Sequence, residues 1–70
     1  SMHKVPAGSS LAETAYEHIY RAIISLDYPP GEALEEKKLM EELKLGRTPI
    51  REALLRLAAE HLATAIPGKG

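Results

Sequence analysis

The chain reads as a mainly α domain of three short helices with a small β element appended, and three observations predict it. Apolar residues recur at steps of three and four from Leu11 to Leu26, at Leu39, Met40 and Leu43, and from Ile50 to Leu57. That is the period of helices with one buried face. Prolines and glycine interrupt the pattern at Tyr28-Pro29-Pro30-Gly31 and at Pro67-Gly68, where they remove backbone donors or favour a turn. Only Lys44-Leu45-Gly46-Arg47-Thr48 separates the second and third runs. A connection that short implies a tight helix-turn-helix.

Seventy residues make one small domain that buries only about 60% of its unfolded surface. Its core is therefore marginal, and a partner or further domain would add to it. The absence of cysteine excludes disulfides and thiolate metal sites, which fits a reducing compartment and makes the cytoplasm the expected location. No apolar run approaches the roughly 20 residues of a membrane span, and the N-terminus lacks the apolar stretch of a signal peptide. A soluble chain with no membrane partner is expected. Ser1 reads as a residue left by cleavage in front of a start methionine, residues 1–8 as a flexible arm, and residues 9–70 as the domain.

In chain order, Ser10 followed by Glu13 three residues later is a capping-box pattern, so the first helix begins at about Leu11 and ends near Leu26. Leu11, Ala15, Ile19, Ala22, Ile23 and Leu26 form its core face, with Ala12 and Tyr16 at the edge. Glu17 and Arg21, four apart, are expected to form a solvated pair at most. Tyr20 and Ile24 lie off the core face, either as isolated exposed residues or as a docking surface. After the proline turn, Glu32-Ala33-Leu34 reads as a short extended segment. The second helix runs from about Glu35 or Glu36 to Leu43.

Thr48 and Pro49 read as N-cap and first residue of the third helix, which reaches about Glu60. Ile50, Ala53, Leu54 and Leu57 fall on one face, Thr48, Glu52, Leu55 and Arg56 opposite, and Arg51 at the flank. Glu52 is placed to favour the helix dipole and to pair with Arg56. Leu62 to Ile66 reads as a strand and Pro67-Gly68-Lys69-Gly70 as a hairpin tip whose returning strand would lie beyond it.

The net charge of −1 conceals a partition. Residues 32–42 carry five glutamates against two lysines, net −3, whereas residues 44–58 carry Lys44, Arg47, Arg51 and Arg56 against Glu52, net +3. Positive charge is thus concentrated on the third helix and its approach, the footprint of a nucleic-acid contact. Arg47 and Arg51 are either a solvated arginine pair, which is what the residues alone favour, or suited to bidentate bonding to guanine edges or binding to phosphate. His3, His18 and His61 have no metal-ligand spacing, and the glutamates at 35–42 read as a solvated face. No nucleophile with a base and an orienting partner stands out, so catalysis is not expected.

Leu11 to Gly70 resembles the N-terminal winged helix-turn-helix of the GntR family of bacterial transcription regulators, closest to its FadR-like branch. Four stretches carry the resemblance: Tyr28-Pro29-Pro30-Gly31-Glu32, Leu39-Met40-Glu41-Glu42-Leu43, Arg47-Thr48-Pro49-Ile50-Arg51-Glu52-Ala53-Leu54 and Ile66-Pro67-Gly68-Lys69-Gly70. It implies a three-helix winged helix-turn-helix with a truncated β-wing, without cofactor or metal in this domain. It also implies binding of double-stranded operator DNA in the control of bacterial transcription, with repression and activation both open, and with the third helix in the major groove and the wing tip at the minor groove. Dimerisation and effector binding would belong to a C-terminal domain outside these 70 residues. By resemblance the DNA contacts are Lys37, Arg47, Thr48, Arg51 and Gly68, with Gly46, Leu55 and Lys69 as further candidates.

Departures from the pattern are Lys37 for the usual arginine, Lys44 for the turn glycine, and Gly46 for a phosphate-binding serine or threonine. The turn glycine is read as shifted by two positions, to Gly46. His61 stands for the glycine that ends the third helix, and Leu55 stands where arginine is common. The competing reading is a protein-interaction module on the same scaffold, with weak DNA affinity and Tyr20 and Ile24 as its contact surface.

Overall fold

In the computed structural model, which describes residues 10–28 and 33–65 (only the backbone at 64 and 65), Ser10 caps the first helix as its spacing to Glu13 predicts. The Ser10 hydroxyl accepts from the Glu13 amide at 3.1 Å, and helix α1 runs Leu11–Ile24. Strand β1 (Ala33–Leu34), helix α2 (Glu36–Leu43), helix α3 (Arg47–Ala59) and strand β2 (Thr64–Ala65) follow. The N-terminal arm and the expected hairpin tip lie outside the described residues.

The strands pair in parallel, Ala33 opposite Thr64 and Leu34 opposite Ala65. A parallel pair needs a crossover, and here the whole helix-turn-helix supplies it. The strand expected over 62–66 begins later, at Thr64, because Leu62 is consumed in closing α3.

The core lies mainly between α1 and α3. Ala15, Tyr16 and Ile19 of α1 meet Ile50, Ala53, Leu54 and Leu57 of α3, with Leu34 and Leu39 completing the cluster. All four residues predicted for the α3 core face are buried. On α1 the face is rotated from expectation: Tyr16 is central, whereas Leu11 and Leu26, at or beyond the helix ends, are exposed. Tyr20 is no isolated residue, since it packs against the core and stacks on Tyr16 at 5.9 Å between centroids. Glu17 is buried and accepts from Arg21 Nε at 2.6 Å, so only the arginine half of that pair is solvated.

Each helix ends on a left-handed residue that is not glycine: Leu26 (φ 66°), Lys44 (φ 58°) and His61 (φ 60°). After α1, the amides of Leu26 and Asp27 bond back to the carbonyls of Ile23 and Ala22. This Schellman closure ends the helix two residues before the predicted Leu26. After α3, His61 and Leu62 close on Ala58 and Leu57 in the same way. His61 therefore adopts the left-handed conformation that glycine would take without steric cost. Between α2 and α3 the left-handed residue is Lys44, whereas Gly46 is extended (φ −75°, ψ 175°). The glycine has not taken over the turn's conformational task. Replacing Lys44 and His61 by glycine should stabilise the domain by about 1 kcal/mol per site. An unchanged urea midpoint in both variants would contradict this.

Candidate nucleic-acid interface

The N-terminus of α3 starts two residues earlier than its Thr-Pro step predicts. Gly46 is the N-cap, Arg47 the first helical residue, and Pro49 the third. The first four amides of a helix lack intrahelical acceptors, so proline is tolerated there and does not fix the cap position. Gly46 caps without a side chain, which leaves the first amides and the positive end of the dipole open to an anion. Glu52 consequently lies beyond the first turn, where no acidic residue is found. Its predicted interaction with the helix dipole does not apply.

Arg47 and Arg51 stand one turn apart on α3 and converge on one carboxylate of α2. Arg51 donates to Glu36 from Nε at 2.7 Å and from Nη2 at 3.1 Å, and Arg47 Nε lies 3.7 Å from Glu36 Oε1. Glu36 is only 5% exposed, while the arginine side chains are 61% and 42% exposed at 47 and 51. Arg51's hydrogen bonds hold the Glu36 carboxyl below its ordinary range, opposed by desolvation and aided by the charges of Arg51 and Arg47. The Arg51 guanidinium is raised in turn. Because the folded-state value of Glu36 is depressed, the pair stabilises the fold above the ordinary carboxylate range and is lost as pH falls through the depressed value.

Glu36 is a correction to the view of the 35–42 glutamates as a solvated face. The signal was in the spacing: Glu36 stands three residues before Leu39 and seven before Leu43, a position where helical periodicity calls for an apolar side chain. Thr48 is exposed beside Arg47. Leu55, one turn beyond Arg51, is 56% exposed. Lys37 is exposed at the second position of α2, where the helix dipole disfavours a cation unless an anion binds. A side chain added at Gly46 would meet nothing within 4 Å. Gly68 and Lys69 lie outside the described residues.

Arg56 faces a different task from the one expected. It lies 3.5 Å from Glu13 and 3.8 Å from Glu60, and its guanidinium sits 3.7 Å over the Tyr16 ring. Among the described residues its ion pairs are thus with α1 and the end of α3, not with Glu52. Tyr16 donates to Glu60 at 2.7 Å; burial above all, then this bond, pushes its hydroxyl up to about 12. No group of histidines and carboxylates among the described residues is placed to hold a metal ion. No helix there is long and apolar enough to cross a membrane.

Residues 11–70 match the sequence profile of the bacterial regulatory proteins of the gntR family. The chain belongs to the GntR family. The Nta operon transcriptional regulator of Aminobacter aminovorans is 45% identical over 47 residues, covering 67% of the chain and 22% of that protein. The HTH-type transcriptional regulator Mce2R of Mycobacterium tuberculosis is 40% identical over 60 residues, covering 84% and 25%. An uncharacterized HTH-type transcriptional regulator of Agrobacterium vitis is 38% identical over 56 residues, covering 80% and 33%. No solved structure matches. The chain spans at most a third of the length of these relatives. Its three helices and strand pair are those of a GntR-type helix-turn-helix DNA-binding domain, in a family of transcription regulators, not enzymes.

Proposed function

We propose that this GntR domain reads double-stranded operator DNA, with α3 in the major groove and the segment around Gly68 and Lys69 at the minor groove. Arg47 and Arg51 contact bases or phosphates, and Thr48, Lys37 and the amides at Gly46 position the domain on the backbone. The observation that carries the reading is two half-exposed arginines, one turn apart at an open helix N-terminus. The motif residues favour the FadR-like branch. The full protein acts in the bacterial cytoplasm as a dimeric transcription regulator, with dimer contacts and the effector site outside these residues. Residues 9–70 are the DNA-binding unit, which needs no cofactor.

Duplex binding measured against salt concentration tests this. Affinity should fall linearly on logarithmic axes, by about 0.9 per phosphate neutralised, and Lys37→Ala should reduce the slope by about 1. No binding to any duplex at low salt would instead favour a protein-interaction module. That second reading has Ile24 and Leu26 in its favour, 58% and 67% exposed at the end of α1; Tyr20, its other expected contact, is committed to the core.

A further inference from the structure

Glu36 is an unexpected group to find in a surface that meets phosphate. It is buried, it stands where an apolar residue would pack, and its charge offsets that of one of the two arginines beside it. Stability alone does not account for it, because a buried ion pair is often no more stable than a well-packed apolar replacement. Electrostatic affinity does not account for it either, since a carboxylate weakens attraction to DNA.

Geometry does account for it. A guanidinium carries five N–H donors in a rigid plane. Glu36 takes two of Arg51's along the edge formed by Nε and Nη2. The remaining donors lie on Nη1 and Nη2, so the end-on edge is left for a ligand, with its plane fixed in advance. The O6 and N7 of guanine accept such a fork only in the plane of the base, whereas a phosphate accepts it from many directions, so a fixed plane favours the base contact. Arg47 is drawn to the same carboxylate at 3.7 Å, a longer and looser tie.

We infer that Glu36 is the positioning residue for sequence reading: it orients Arg51, and less tightly Arg47, so that the domain gains discrimination between base sequences at the expense of general affinity for DNA. The inference rests on the DNA-reading function proposed above. It requires removal of Glu36 to lower affinity for the matched duplex without lowering it for an unmatched one, which a merely structural role does not produce.

The test uses two duplexes of equal length and composition, one carrying the sequence that the wild-type chain selects from a random pool and one with that sequence scrambled. Glu36→Gln removes the charge and half of the acceptor pair while conserving shape. It should hold or raise affinity for the scrambled duplex and steepen its salt slope by about 1, as one more cation becomes available to phosphate. It should lower the ratio of matched to scrambled affinity about tenfold or more. Glu36→Asp, which keeps the charge on a shorter stem, should fall between the two and serves as the readout if the glutamine variant does not fold.

A parallel loss on both duplexes, or an unchanged ratio, would overturn the role given to Glu36 while leaving DNA reading intact. Failure of the wild-type chain to retain any duplex would remove both together.

Discussion

Arg51→Ala is expected to lower affinity for the matched duplex by about tenfold or more, because a bidentate guanine contact is among the strongest sequence-specific terms a side chain can supply. Arg47→Ala should act in the same direction. Arg56→Ala is the internal control. It removes an arginine from the outward side of the same helix, but one that pairs with Glu13 and Glu60 and covers the Tyr16 ring. Its loss should be felt in folding and leave the ratio of matched to scrambled affinity unchanged. Titrations of the three variants against both duplexes check the contrast, and equal losses for all three would mean that charge alone matters.

Leu57→Ala should destabilise the domain by about 2–5 kcal/mol, the range for truncating a fully buried leucine that its neighbours cannot close over. Leu57 has no exposed surface, and its carbonyl accepts from the Leu62 and Glu60 amides that close α3. A chain of 70 residues is expected to have on the order of 4–10 kcal/mol in total. The substitution therefore removes a large share of the total, read directly as a shift of the urea midpoint. A loss under 1 kcal/mol would mean that α3 is not packed as described.

Much of this fold was legible because it is written locally. Ser10 and Glu13 mark the start of α1, and the spacing of Ile50, Ala53, Leu54 and Leu57 marks the buried side of α3. What escaped is the exact geometry of the turn and whatever depends on neighbours distant in sequence. Thr48 and Pro49 looked like a cap and a first residue, yet the open turn lets the helix begin at Arg47. Gly46 looked like the residue that bends the chain, and Lys44 bends it. Arg56 and Glu52 had the spacing of a pair, but α1 offers Arg56 an aromatic face and a carboxylate that no helical wheel contains. Tyr20 seemed to need an outside partner until Tyr16 was found beside it.

The interface divides in the same way. Arg47 and Arg51 were legible from their spacing at a helix start and from the family motif. Glu36 lies 15 residues from Arg51, and only the packing of α2 against α3 shows that the two meet. Its trace in the sequence was a charge at an apolar position, which is a weaker signal than an arginine on an exposed face.

The most direct test of the central claim, that α3 reads base sequence, is to expose the chain to a random pool of duplex DNA at low salt and sequence what it retains. Recovery of a short shared half-site, lost when the selection is repeated with Arg51→Ala, is the result predicted. Retention of duplexes with no sequence in common would contradict it, leaving a domain that holds phosphates and does not read bases.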